Sequence, residues 1–127
     1  MTAASVLGED HGVSSIEDFL GLVTQLPGVQ RTDRARWSQF DVVGQRFGYL
    51  WERTATVGLK QTIAEQAALV GERPDAFEVQ FTAHGFGWVV VYLEKVERDE
   101  LAELVFEAWR LSAPADLVEE RADRLPA

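Results

Sequence analysis

The stretch Ala83-His84-Gly85-Phe86-Gly87-Trp88 sets an imidazole, two glycines and an indole side by side. Imidazole titrates near neutrality, so His84 has the chemistry of a general base. A base needs an orienting partner and a nucleophile, and no neighbouring motif supplies either, so His84 reads as an exposed turn residue that tolerates positive φ. Gly85 and Gly87 make half of a dinucleotide fingerprint, but Val90 stands where the third glycine belongs. The stretch opens a strand rather than a helix, so no helix N-terminus is there to receive a phosphate. Glu100, Glu103 and Glu107 share one helix face. Three carboxylates in a row opposite an apolar stripe form a solvated face, whereas acid–base chemistry wants two held across a cleft. No catalytic set emerges and no cofactor is called for. His11 is the only other imidazole and cysteine is absent, so neither a histidine nor a thiolate metal site is expected.

The basic side chains carry the remaining chemistry. Arg31, Arg34, Arg36 and Arg46 are the one concentration of cations, with Trp37 beside them as a stacking surface. Guanidinium groups and an indole at this spacing suit phosphates and bases; the bland alternative is charge that protects a strand edge from mispairing. Arg34 and Arg36 are expected on one side of an extended strand. The net charge of −9 opposes nucleic acid unless a basic face is kept apart. Convergence of Arg34, Arg36 and Arg46 with Arg53 and Lys60 would supply that face. An acidic chain also suits a basic protein partner, or a homodimer, met through its acidic C-terminal helices.

These groups must be held by a domain of ordinary composition. The 127 residues are 46% hydrophobic and 26% charged, with no apolar run long enough to cross a bilayer. Residues 1–12 read as a flexible leader without secretory character, and residues 13–127 as one domain with a cytoplasmic address.

Ser14 and Glu17 are spaced as a capping box for a helix bearing Ile16, Phe19, Leu20, Val23 and Leu26, ended by Pro27-Gly28. From Val29 the period becomes two. A turn at Gly44-Gln45 would put Phe40, Val42, Phe47, Tyr49 and Trp51 on the core face and Gln39, Asp41, Arg46 and Glu52 on the wet one. A strand near Thr56–Lys60 leads to a helix capped by Thr62, with Glu65 completing the box, through Ile63, Ala67 and Val70 to Gly71. Phe77, Val79 and Phe81 then alternate, and a turn at His84-Gly85 or Gly85-Phe86 would align them with Trp88, Val90 and Tyr92 on the core face. A three-residue loop would instead bring Val89, Val91 and Leu93 there. Asp99 is expected to cap a helix with the stripe Leu101, Leu104, Val105, Ala108 and Trp109, ended by Ser112-Ala113-Pro114. A last helix runs from Asp116 to Arg124. The fold class is α+β: a two-layer domain with helices packed on one face of an antiparallel sheet, in the order α-β-β-β-α-β-β-α(-α).

Several pieces together resemble a known family. LPGV at 26–29, FDVVGQRFGYL at 40–50, VGLKQT at 57–62 with the helix after it, WVVVYL at 88–93 and DELAELVFEAWRLSAP at 99–114 are similar in order and spacing to the MmcQ/YjbR family of small bacterial proteins. The resemblance implies a double-wing DNA-binding fold, related in topology to type III secretion chaperones, and a non-enzymatic role in binding DNA. Its wings would be the hairpins at Gly44-Gln45 and at His84–Gly87. On these grounds the candidate nucleic-acid contacts are Arg34, Arg36, Trp37, Arg46, Lys60 and His84. The second wing lacks the lysine or arginine that members often carry before the tryptophan.

Overall fold

The computed structural model of the chain describes residues 13–121. The expected leader, His11 and the end of the last helix lie outside these residues. Helix α1 (Ile16–Thr24) leads into β1 (Val29–Asp33), β2 (Ser38–Val42), β3 (Gln45–Trp51) and β4 (Thr56–Thr62). Helix α2 (Ile63–Glu72), β5 (Phe77–Ala83), β6 (Phe86–Tyr92), α3 (Arg98–Arg110) and α4 (Ala115–Arg121) complete the chain. This is the expected α+β order, with the stretch before the first hairpin adding the edge strand β1. The six strands form one antiparallel sheet in the order β1-β2-β3-β4-β6-β5.

Helix starts differ from the expected ones where a polar side chain has a better use. Ser14 is drawn into the core, its Oγ donating to Val96 O at 2.9 Å. The cap passes to Ser15, which forms a reciprocal box with Asp18. Helix α3 starts before Asp99, with Glu97 as N-cap and Asp99 in its first turn, where a carboxylate suits the helix dipole. Thr62 caps α2 as expected, accepting from Glu65 N at 3.0 Å. The face that α2 presents to the sheet centres on buried Gln66, while Ile63 is left exposed.

One face of the sheet is the core. Phe40, Phe47, Leu50, Val57, Leu59, Phe77, Val89 and Val91 are fully buried there beneath the helices. Helix α1 contributes Phe19, edge-on to Phe40 with ring centroids 5.4 Å apart. Helix α3 contributes Leu101, Val105 and Trp109, whose indole Nε1 donates to Pro27 O at 3.1 Å. Side chains of this size each contribute roughly 1.5–3 kcal/mol by leaving water.

Two β-bulges redistribute the aromatics. In the first hairpin Asp41 pairs with Arg46 but Phe40 pairs with Gly48, so Phe47 is an extra residue. A bulge places two residues against one and inverts the alternation beyond it. Phe47 stays in the core, Leu50 joins it, and Tyr49 and Trp51 turn to the opposite face, contrary to the pattern expected from sequence. The turn itself falls on Val43-Gly44, with φ of 47° and 83°. In the second hairpin Val79 pairs with Val89 and Phe81 with Trp88, leaving Gln80 as the extra residue. The turn is His84-Gly85, yet Val89, Val91 and Leu93 take the core positions, because the bulge does what a longer loop would have done. Val90 and Tyr92 lie on the other face.

Candidate functional site

The β1–β2 connection is a two-residue turn on Ala35-Arg36, closed by Arg34 N–H donating to Trp37 O at 2.7 Å. Arg34 therefore precedes a tight turn and Arg36 sits within it, rather than the two sharing one side of an extended strand. Buried Gln39 orients the side chains on either side of that turn: its Oε1 accepts from Trp37 Nε1 at 3.3 Å and from Arg34 Nε at 3.4 Å. Beyond β3, a 3-10 turn (Glu52–Thr54) brings Arg53 to the same end of the sheet. Together these segments line an open groove of about 320 Å³ whose cations are Arg31, Arg34, Arg36 and Arg53, with Trp37 in its wall.

The charges in this groove are not equivalent. Arg31 is engaged with Asp33 at 2.8 Å and Glu52 at 3.5 Å, and stands over the Phe40 ring. Ser38 donates to Asp33 at 2.7 Å, and this bond together with Arg31 holds the Asp33 carboxyl below the usual carboxylate range. Arg34, Arg36 and Arg53 are exposed, and among the described residues none of them is ion-paired. Three exposed guanidiniums around an indole can grip phosphate oxygens in a planar, bidentate manner that a lysine cannot match.

The other candidates lie elsewhere. Strands β3 and β6 are each antiparallel to β4, so the turns that precede them, Val43-Gly44 and His84-Gly85, occupy one end of the sheet. The arginine groove occupies the opposite end. Near the two turns, Arg46 is bound to Asp41 at 2.7 Å and to the Tyr49 hydroxyl at 3.2 Å. Burial works against its charge, but those two bonds outweigh it and the guanidinium pKa is raised. Lys60 Nζ donates to Ser112 Oγ at 2.9 Å and lies 4.4 Å from the Phe86 ring centroid; burial lowers its pKa. His84 is an exposed turn residue with φ of 54°. The structure thus brings Arg34, Arg36 and Trp37 together with Arg31 and Arg53, and separates them from Arg46, Lys60 and His84.

Of the carboxylate row on α3, Glu100 is held by Arg73 and Glu107 by Arg110. Among the described residues no group of three or more acidic or histidine side chains is placed to hold a metal. No described helix is long and apolar enough to cross a membrane. Gln39, which orients both Arg34 and Trp37, carries no sequence signal for that role, since an isolated glutamine in a strand has no characteristic spacing.

A family model described as YjbR matches residues 24–111. A crystal structure of the Deinococcus radiodurans protein DR2400, with a DUF419 family domain, superposes with a TM-score of 0.71 at 16% identity, over 87% of this chain and 89% of that one. No curated protein matches the chain. At that identity the crystal structure speaks for the fold.

Proposed function

The chain belongs to the YjbR family, and from that premise we propose that it is a non-enzymatic nucleic-acid-binding protein whose phosphate grip is the arginine groove. The observation that carries this reading is the gathering of exposed Arg34, Arg36 and Arg53 around Trp37, none of the three ion-paired among the described residues, in a chain of net charge −9. An acidic protein that binds nucleic acid must segregate its cations, because phosphate binding runs on counterion release by Lys and Arg. The hairpin tips contribute little to such a grip. They present Val43, Gly44, His84 and Gly85, and the nearby Arg46 and Lys60 are already committed to protein partners.

Fluorescence anisotropy with labelled single-stranded and duplex oligonucleotides at about 50 mM salt, where phosphate contacts are strong, tests the reading. Wild-type protein binds, and the triple variant Arg34→Gln, Arg36→Gln, Arg53→Gln loses at least about tenfold in affinity. Arg110→Gln, remote from the groove and paired with Glu107, binds as wild type. Absence of binding to every probe, or a triple variant that binds like wild type, refutes the proposal.

A further inference from the structure

The face of the sheet opposite the core is covered by no described helix, and it is not the polar surface that a solvated antiparallel sheet presents. Trp51 stacks on Tyr49 with centroids 5.7 Å apart, Tyr49 meets Trp88 at 5.4 Å, and Trp88 meets Phe81 at 5.3 Å. Gly58, which pairs with Tyr49, leaves room among the rings for the Gln80 amide and the edge of Trp51. The row therefore runs from β3 to the edge strand β5. Trp88 at the centre of the row is buried, Tyr49 and Trp51 are half-buried, and the rings left most open to a base are Phe81 at that edge and Trp37 in the groove wall, each 38% exposed.

We propose that this row is a stacking platform for single-stranded DNA, running on from the arginine groove; the inference rests on the nucleic-acid reading above and adds the class of ligand and the path of its bases. Continuity is carried by Gln39, whose amide holds Arg34 and Trp37 and which pairs with Tyr49 across the β2–β3 ladder. Arg34 and Trp37 turn with Gln39 toward this face, whereas Arg31, Asp33, Ser38 and Leu50 line the groove on the Phe40 side, so a strand gripped in the groove would round the end of the sheet at Trp37 to reach Tyr49 and Trp51.

Arg46 and Lys60 border the row, the guanidinium 5.5 Å from the Tyr49 ring centroid and the ammonium over Phe86, but both are held by protein partners, so the phosphate grip stays with the groove. The carboxylates of this face are engaged: Asp41 binds Arg46, and Glu78 accepts from the Tyr92 hydroxyl, which raises the tyrosine pKa. Within the row, Gln80 Oε1 is buried over Gly58 without a hydrogen-bond partner among the described residues. From β2 to β5 the face spans four strand spacings, roughly 19 Å, enough for a few splayed nucleotides. Duplex DNA keeps its bases stacked on one another and cannot use such a platform. With the Tyr49 and Tyr92 hydroxyls already bonded, the row offers rings rather than partners for 2′-hydroxyls, so RNA gains no contact there that DNA lacks.

The experiment is a titration of the full chain with an oligothymidylate of about 12 nucleotides and with a duplex of the same length, read by anisotropy and by intrinsic tryptophan fluorescence. The expected result is preference for the single strand with quenching of the tryptophans. Trp37→Ala and Phe81→Ala should each weaken single-strand binding about five- to hundredfold, the range seen for loss of one base–aromatic stack. Circular dichroism melts check that both variants fold, and the quenching of the wild type needs no variant. Duplex bound as tightly as single strand, without quenching and with no effect of either substitution, overturns the platform and leaves the arginine grip standing. Binding of neither probe overturns both.

Discussion

Lys60 shows how burial sets the behaviour of a single charge. Its ammonium bonds Ser112, sits on Phe86, and is not ion-paired among the described residues, so burial lowers its pKa from the usual 10.5. The unfolded chain then holds more protons than the folded one in the window beneath about 10.5, and this group makes stability rise with pH across that window. A Lys60→Met variant lacks the gain. Its stability relative to wild type should be most favourable near pH 7 and decline by up to about 1 kcal/mol toward pH 10, a small effect because the ammonium is partly solvated. Urea titrations of both proteins at the two pH values measure this. Two glycines offer a second contrast. A Cβ on Gly87 would lie 2.7 Å from Gln66 Cβ, and Gln66 cannot retreat without losing its bonds to Phe81 O and Trp88 O. A Cβ on Gly58 would meet chiefly the amide end of Gln80, which can swing away. Gly87→Ala should therefore cost about 1–3 kcal/mol in denaturant titration, and Gly58→Ala less.

At the scale of elements, the two bulged hairpins decide where aromatic rings go. Each bulge inserts one residue, Phe47 or Gln80, and each sends rings to the open face that an unbroken strand would have sent to the core. Gln66 supports the second bulge from α2, its amide donating to the carbonyls of Phe81 and Trp88 on the two paired strands. The first hairpin has a weakness at its turn. Val43 is β-branched, 60% exposed, and held at φ of 47°, in the left-handed region that L residues other than Asn and Asp avoid. Val43→Asn keeps the turn and removes most of that cost, so stability should rise by about 1 kcal/mol. A higher urea midpoint with an unchanged slope is the signature.

The whole molecule is an acidic body with a cationic groove at one end. Charges farther than a Debye length of about 8–10 Å are screened at ordinary salt, so the groove behaves as a local site within an unfavourable field. If the proposed grip holds, three exposed arginines would release about two counterions on binding a single strand. Affinity should accordingly fall about fifteenfold between 50 and 200 mM salt, and the log–log slope should flatten as Arg34, Arg36 and Arg53 are replaced one by one. A slope that does not change with those substitutions places the phosphates elsewhere on the surface.

Periodicity in the sequence was sufficient for the helices, the hairpins and the α+β class, because an amphipathic stripe such as Leu101, Leu104, Val105, Ala108 and Trp109 has only one efficient way to leave water. The positive φ at His84 was legible for a similarly local reason, since a two-residue turn demands it. Arg34, Arg36 and Trp37 were legible as a cluster because they are adjacent in the chain. The faces of Tyr49, Trp51, Val90 and Tyr92 were not, because one extra residue in a strand inverts every later side chain and leaves the apolar pattern as plausible as before. Nor could the sequence tell that Arg53 joins the groove while Arg46 and Lys60 do not. That sorting depends on strand direction: β3 carries Arg46 near the Val43-Gly44 turn and delivers Arg53 just beyond its other end, beside the Ala35-Arg36 turn. The sequence alone determined which residues could grip a polyanion; only the tertiary structure decided which of them stand together, because separation along a sheet is set by pairing and not by spacing in the chain.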